Sequence, residues 1–153
     1  MPDVRITIQG DDRLRRALQD PLLVRGPIGV FLKRSALTVE ANAKMEAPVD
    51  TGRLRSSVVT NLGRLSASVG PTAYYAPYVE YGTRPHFPPP TALNPWARRH
   101  GWGSWALAFH IAKYGTKAHP FMRPAAQKSI ASVRQFANQM LKDIEMRWRS
   151  RAV

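Results

Sequence analysis

Residues 46–69 read Glu-Ala-Pro-Val-Asp-Thr-Gly-Arg-Leu-Arg-Ser-Ser-Val-Val-Thr-Asn-Leu-Gly-Arg-Leu-Ser-Ala-Ser-Val. Pro48 stops the segment before it from continuing as a helix, because its ring clashes with a helical predecessor and it has no amide hydrogen. Asp50 or Thr51 can then accept bonds from the free amides of a short turn running to Ser57, with Gly52 easing the tight geometry and Leu54 anchoring the turn to the core. Residues 58–62 and 65–69 follow as two five-residue strand-like runs. Their separation by Gly63-Arg64 predicts a hairpin with a two-residue connection.

Upstream, Ile28, Phe31, Leu32, Ser35, Val39 and Ala43 recur at spacings of three and four. That spacing predicts an amphipathic helix over 28–46, with Pro27, after Gly26, at its first position. Earlier, Val4, Ile6 and Ile8 alternate with Arg5, Thr7 and Gln9, which predicts a strand with one buried face. Asp11 and Asp12 suit the start of a short helix to about Leu18, ended by Asp20 and Pro21. Downstream, Pro124 heads a long helix over 124–148, where Ile130, Val133, Ala137, Met140 or Leu141, Ile144 and Trp148 form one apolar stripe. The fold class is therefore α+β, with a small, mainly antiparallel sheet (4–9, 58–62, 65–69) packed against two long helices. A hydrophobic content of 44% over 153 residues is enough for one core, so a single domain spanning 1–153 is expected.

Between hairpin and last helix the composition changes. Residues 74–81 are aromatic, with Tyr74, Tyr75, Tyr78 and Tyr81 read as core packing and Glu80 in need of a partner, which Arg53, Arg55 or Arg123 could supply. Residues 83–91 hold Pro85, Pro88, Pro89 and Pro90 and predict an extended, semi-rigid strip. Two short helices, 92–100 and 105–114, are divided by Gly101 and Gly103, with Ser104 as a cap and Gly115 beyond the end. The sequence Tyr81-Gly82-Thr83-Arg84-Pro85-His86-Phe87 is echoed by Tyr114-Gly115-Thr116-Lys117-Ala118-His119-Pro120-Phe121. The echo marks residues 84–117 as an inserted arm, rich in proline and tryptophan.

Several function classes drop out on inventory. The chain has no cysteine, which removes disulfides, thiolate zinc sites and a cysteine nucleophile. His86, His100, His110 and His119 have no metal-binding spacing, the ten carboxylates form no acid and base pair, and no phosphate-cradling loop occurs, so neither catalytic residues, a metal nor a cofactor is expected. The N-terminus lacks the apolar run of a signal peptide, and no run suits a bilayer, so the chain is expected to be soluble, made in the cytoplasm, with no membrane partner. Lys and Arg outnumber Asp and Glu by 23 to 10, a formal charge of +13, which predicts attraction to nucleic acid or to an acidic protein surface. The bases are scattered and no helix-turn-helix or zinc-finger signature appears; a basic, non-specific DNA-binding protein is the alternative reading.

Three blocks in order, Ala47 to Ser57, Tyr75-Ala76-Pro77-Tyr78-Val79-Glu80-Tyr81-Gly82-Thr83 and His119-Pro120-Phe121-Met122-Arg123-Pro124-Ala125, closely resemble the tail-completion or neck proteins of long-tailed bacteriophages. The structural motif positions are Asp50, Thr51, Gly52, Tyr78, Glu80, Gly82, Thr83, Pro120, Phe121 and Pro124. The resemblance implies a structural virion protein of the neck or upper tail that forms a ring, sixfold by the symmetry of tails, and joins tail to DNA-filled head or completes the tail's upper end. Its implied partners are copies of itself, connector or head-closure proteins and tail-terminator or tail-tube proteins; in such a place the +13 charge suits either acidic neighbouring proteins, the favoured reading, or non-specific contact with genomic DNA. Many members pass almost directly from Gly-Thr to Pro-Phe, whereas roughly thirty residues intervene here. Within them His86, Phe87, Pro88, Pro89, Pro90, Trp96, Trp102 and Trp105 are the expected contacts to a neighbouring chain, because short tryptophan-rich helices have little core of their own.

Overall fold

A computed structural model of the chain describes residues 21–151. The elements in order are α1 (Pro21–Glu46), α2 (Arg53–Ser57), β1 (Val58–Leu62), β2 (Ala67–Pro71), α3 (Ala76–Tyr81), α4 (Pro90–Arg99), α5 (Ser104–Tyr114) and α6 (Met122–Arg151). The class is α+β, a two-stranded antiparallel hairpin against the long helices α1 and α6 with shorter helices added. The strand expected over 4–9 and the helix expected after Asp11 and Asp12 lie outside the described residues.

Two boundaries differ from expectation. Helix α1 does not start at Pro27 but runs through it from Pro21. Proline inside a helix forfeits one amide and crowds the residue before it, and here that residue is Gly26, which has no Cβ to clash. Strand β2 starts two residues late, at Ala67, because Gly63, Arg64, Leu65 and Ser66 together make the turn, closed by the Gly63 amide donating to the Ser66 carbonyl at 2.8 Å. A slip of two keeps every side chain on its face, so Val69 still points to the core. Pro71 has no amide to donate, and the pairing passes over it to the next amide, Thr72, which donates to the Ser57 carbonyl.

The described residues fall into two compact units. One comprises Glu40–Val59 and Val69–Lys128 and contains the main core: Ala43, Ala47, Leu54, Val58, Ala76, Phe121 and Ala125, edged by Val69, Ala73, Tyr75, Val79 and Met122. Most of these are alanines, so backbones approach closely and Phe121, fully buried, is the largest filler. Lys128 and Glu46 pair across the ends of α6 and α1.

The second unit comprises residues 21–39, 60–68 and 129–151. Its two helical segments run antiparallel, with the Arg34 guanidinium 4.2 Å from the Phe136 ring centre and the Arg147 guanidinium close to Gly26. On α6 the inward row is Ser129, Val133, Ala137, Met140, Ile144 and Trp148; Ile130 and Leu141 are exposed. Ser129 therefore takes the place expected for Ile130, in phase with buried Ala125 one turn earlier.

Candidate functional site

The sequence echo has a geometric meaning. Helices α3 and α5 each end in Tyr-Gly-Thr, and each glycine turns the chain with a positive φ, 71° at Gly82 and 73° at Gly115. The two threonines that follow then meet as an isolated antiparallel bridge. The Thr83 amide donates to the Thr116 carbonyl at 3.1 Å, the Thr116 amide donates to the Thr83 carbonyl at 3.2 Å, and the hydroxyls bond at 2.9 Å. A Cβ on Gly82 would meet the Thr116 carbonyl oxygen, and one on Gly115 the Thr83 carbonyl oxygen, so neither position has room for a side chain. Each histidine of the echo also crosses to the other half: the His86 amide donates to the Ile111 carbonyl and the His119 amide to the Val79 carbonyl. Residues 84–115 thus leave and return at one clamp.

Glu80 sits three residues before the clamp. Although its residue is only 7% exposed, its carboxylate makes no pair with Arg53 or Arg55. It accepts the amides of Phe121 (2.7 Å) and Met122 (3.0 Å) on Oε2, and that of Arg123 (3.1 Å) on Oε1. The next residue, Pro124, has no amide hydrogen, and Ala125 begins the helical ladder by donating to the Phe121 carbonyl. Every free amide at the start of α6 is therefore satisfied by one side chain from another helix. Burial pushes the Glu80 carboxyl up, but the three backbone amides and the positive charge of Arg123 outweigh it, and the group is held below its ordinary value.

Asp50 and Thr51 do not cap α2. That position is held by Gly52, at φ 79°, with no side-chain bond. The Asp50 carboxylate instead accepts Nε (2.9 Å) and Nη2 (2.5 Å) of Arg99 and lies 3.2 Å from His100 Nε2, fastening the end of α4 to the turn before α2. The Arg99 hydrogen bond, ahead of the other influences, holds the Asp50 carboxyl below its ordinary value. The pair is largely solvated, so D50N is expected to lower the melting temperature by no more than a few degrees, with the difference shrinking further in 0.5 M salt; a calorimetric scan reads it.

Within the arm, α4 and α5 pack on each other through Ala97, Ala108 and Ile111, while the large rings face outward. Phe87 and Trp105 are brought together, at 6.5 Å between ring centres, with Phe109 as a third member at 5.6 Å from Phe87. Trp96 and Trp102 do not join them. Trp96 stacks on His100 at 4.1 Å, and Trp102 neighbours His110 at 6.2 Å. His86, Pro89 and the strip around them are exposed, with Pro88 and Pro90 half-buried.

The tyrosines overturn their core assignment. Tyr74 and Tyr81 are 88% and 80% exposed, Tyr78 is exposed, and only Tyr75 packs on the core. The inward face of α3 is taken by Ala76, Val79 and Glu80, the last drawn in by the amides of α6, so positions 74, 78 and 81 turn outward together. Their spacing of four and three was the available signal for a stripe; which way it faced depended on Glu80.

Among the described residues no group of His, Asp and Glu is placed to hold a metal ion, and no helix is long and apolar enough to cross a membrane. Residues 11–82 match the model of the family described as "Bacteriophage HK97-gp10, putative tail-component". No curated protein and no solved structure matches the chain.

Proposed function

We propose, from a chain whose residues 11–82 belong to the HK97-gp10-like family of phage tail components, that this protein is the part of the virion that completes the tail's upper end or joins it to the head. The family is structural and not enzymatic. In this reading copies form a ring at the neck, sixfold like the tail, between a connector or head-closure protein on one side and a tail-terminator or tail-tube protein on the other.

The observation that carries the reading is the inverted composition of the arm. Its interior is alanine and isoleucine, its exterior is Phe87, Trp105 and Phe109, and its base is locked by the Thr83–Thr116 bridge. Rings held outward on a pre-ordered support lose little further entropy when a neighbour covers them, which is the character of interface anchors. Arginines and tyrosines on the same chain, including the outward stripe on α3, suit the head-to-tail contacts from which closed rings are built.

The double substitution of Phe87 and Trp105 by alanine tests this. The chain is expected to keep its helical content and to melt within a few degrees of the parent, because both rings are exposed, while joined head–tail particles fall at least about tenfold in electron micrographs. Normal joining by the variant, or a reconstruction of the particle with this chain away from the head–tail junction, would count against the proposal.

A further inference from the structure

Helix α5 carries two ring stripes about 140° apart, and they differ in chemistry. The stripe of Trp105 and Phe109, continued by Phe87, is flanked by prolines and is mainly hydrocarbon. The other is a ladder of rings with polar edges: Trp102 to His110 at 6.2 Å, His110 to Tyr114 at 5.0 Å, with the Lys113 ammonium 5.1 Å from the Tyr114 ring centre. Trp102 and Tyr114 are at least half exposed.

Lys113 lies beside this ladder, and the charge of the arm as a whole is one-sided. No aspartate or glutamate occurs between Glu80 and Asp143, whereas the arm alone carries Arg84, Arg98, Arg99, Lys113 and Lys117. Asp50 engages Arg99; no carboxylate of the arm's own sequence is available to the other four. An occupant of this face must therefore bring negative charge. A second copy meeting it face to face presents the same cationic surface and is repelled. An acidic peptide brings charge but no planar faces, and duplex DNA hides its base faces in the stack. An unpaired polynucleotide brings both.

We infer that Trp102, His110 and Tyr114, with Lys113, form a stacking platform for single-stranded nucleic acid: bases lie against the rings while phosphates lie near Lys113 and are drawn by the net positive charge of the arm. The contact is sequence-tolerant, because every base has a π-face, and strongly salt-dependent, because phosphates release their counterions. It uses a different stripe from the one proposed to meet a neighbouring protein and does not depend on that reading.

The test is titration of the full chain into labelled dT30 at 50 mM salt, following anisotropy and tryptophan fluorescence. Micromolar binding, quenching, and steep loss by 200 mM salt are expected. W102A and Y114A should each weaken binding at least about fivefold, Tyr114→Phe should retain it, and F109A, on the other stripe, should leave it unchanged. Circular dichroism of each variant, expected to match the parent, checks folding. Three results overturn the inference: no binding at 50 mM salt, equal affinity for a 30-base-pair duplex or polyglutamate, or equal weakening by F109A.

Discussion

Glu80→Ala is expected to destabilise the protein by about 3–5 kcal/mol, because three amides at the head of α6 lose a charged acceptor at once in a place that water reaches poorly. Urea denaturation followed by circular dichroism measures it. Glu80→Gln should fall between alanine and the parent: one acceptor oxygen survives, but the amide nitrogen replaces an acceptor with a donor facing other donors. The same carboxylate sets an acid limb. Its folded-state pKa lies below the ordinary 4.5, so its contribution is complete above that value and is lost as pH falls through the folded pKa. Between about pH 5 and 3 the parent should therefore lose stability more steeply than Glu80→Gln, which cannot titrate there. Parallel pH profiles for the two proteins, or a loss below 1 kcal/mol in the alanine variant, would mean that the helix start is satisfied some other way.

Gly115→Ala and Gly82→Ala should each cost about 2–4 kcal/mol, one part from a left-handed backbone that alanine resists and the rest from driving a methyl into the opposite threonine's carbonyl. Both substitutions break one bridge. The double variant should accordingly lose clearly less than the sum, a coupling that two independent turns would not give. Hydrogen exchange supplies the second readout: the Thr83 and Thr116 amides, protected in the parent through their reciprocal bonds, should exchange rapidly in either variant. Additive losses with protection retained would refute the shared clamp.

How far the sequence carried each element depended on whether its determinants were local. β1 was legible to the residue, since its β-branched start, the preceding turn and the glycine that follows are all encoded within a few positions. The start of α1 was not, because Gly26-Pro27 is a good helix start and also, with no Cβ on the glycine, a tolerable helix interior. Asp50 was read as a cap by the same residue chemistry that makes it a partner for Arg99, and a partner 49 positions away leaves no trace near Asp50. Glu80 was recognised as needing a partner, yet arginines were considered and backbone amides were not, since only folding brings the head of α6 to it. The echo was visible as repetition. Its meaning, two helix ends paired about a local twofold relation, required the bridge.

That bridge has a consequence for how such a chain can change. A segment whose flanking residues, here Thr83 and Thr116, are hydrogen-bonded to each other sets no span for the rest of the molecule to accommodate, whatever its length. The stretch inside the clamp's own contacts, residues 87–110, can accordingly be lengthened, shortened or exchanged while Gly82, Gly115 and the threonines keep the base closed and Glu80 continues to hold the start of α6. The clamp makes the arm an exchangeable cassette, a place where one scaffold can be refitted for a different neighbour without relearning how to fold.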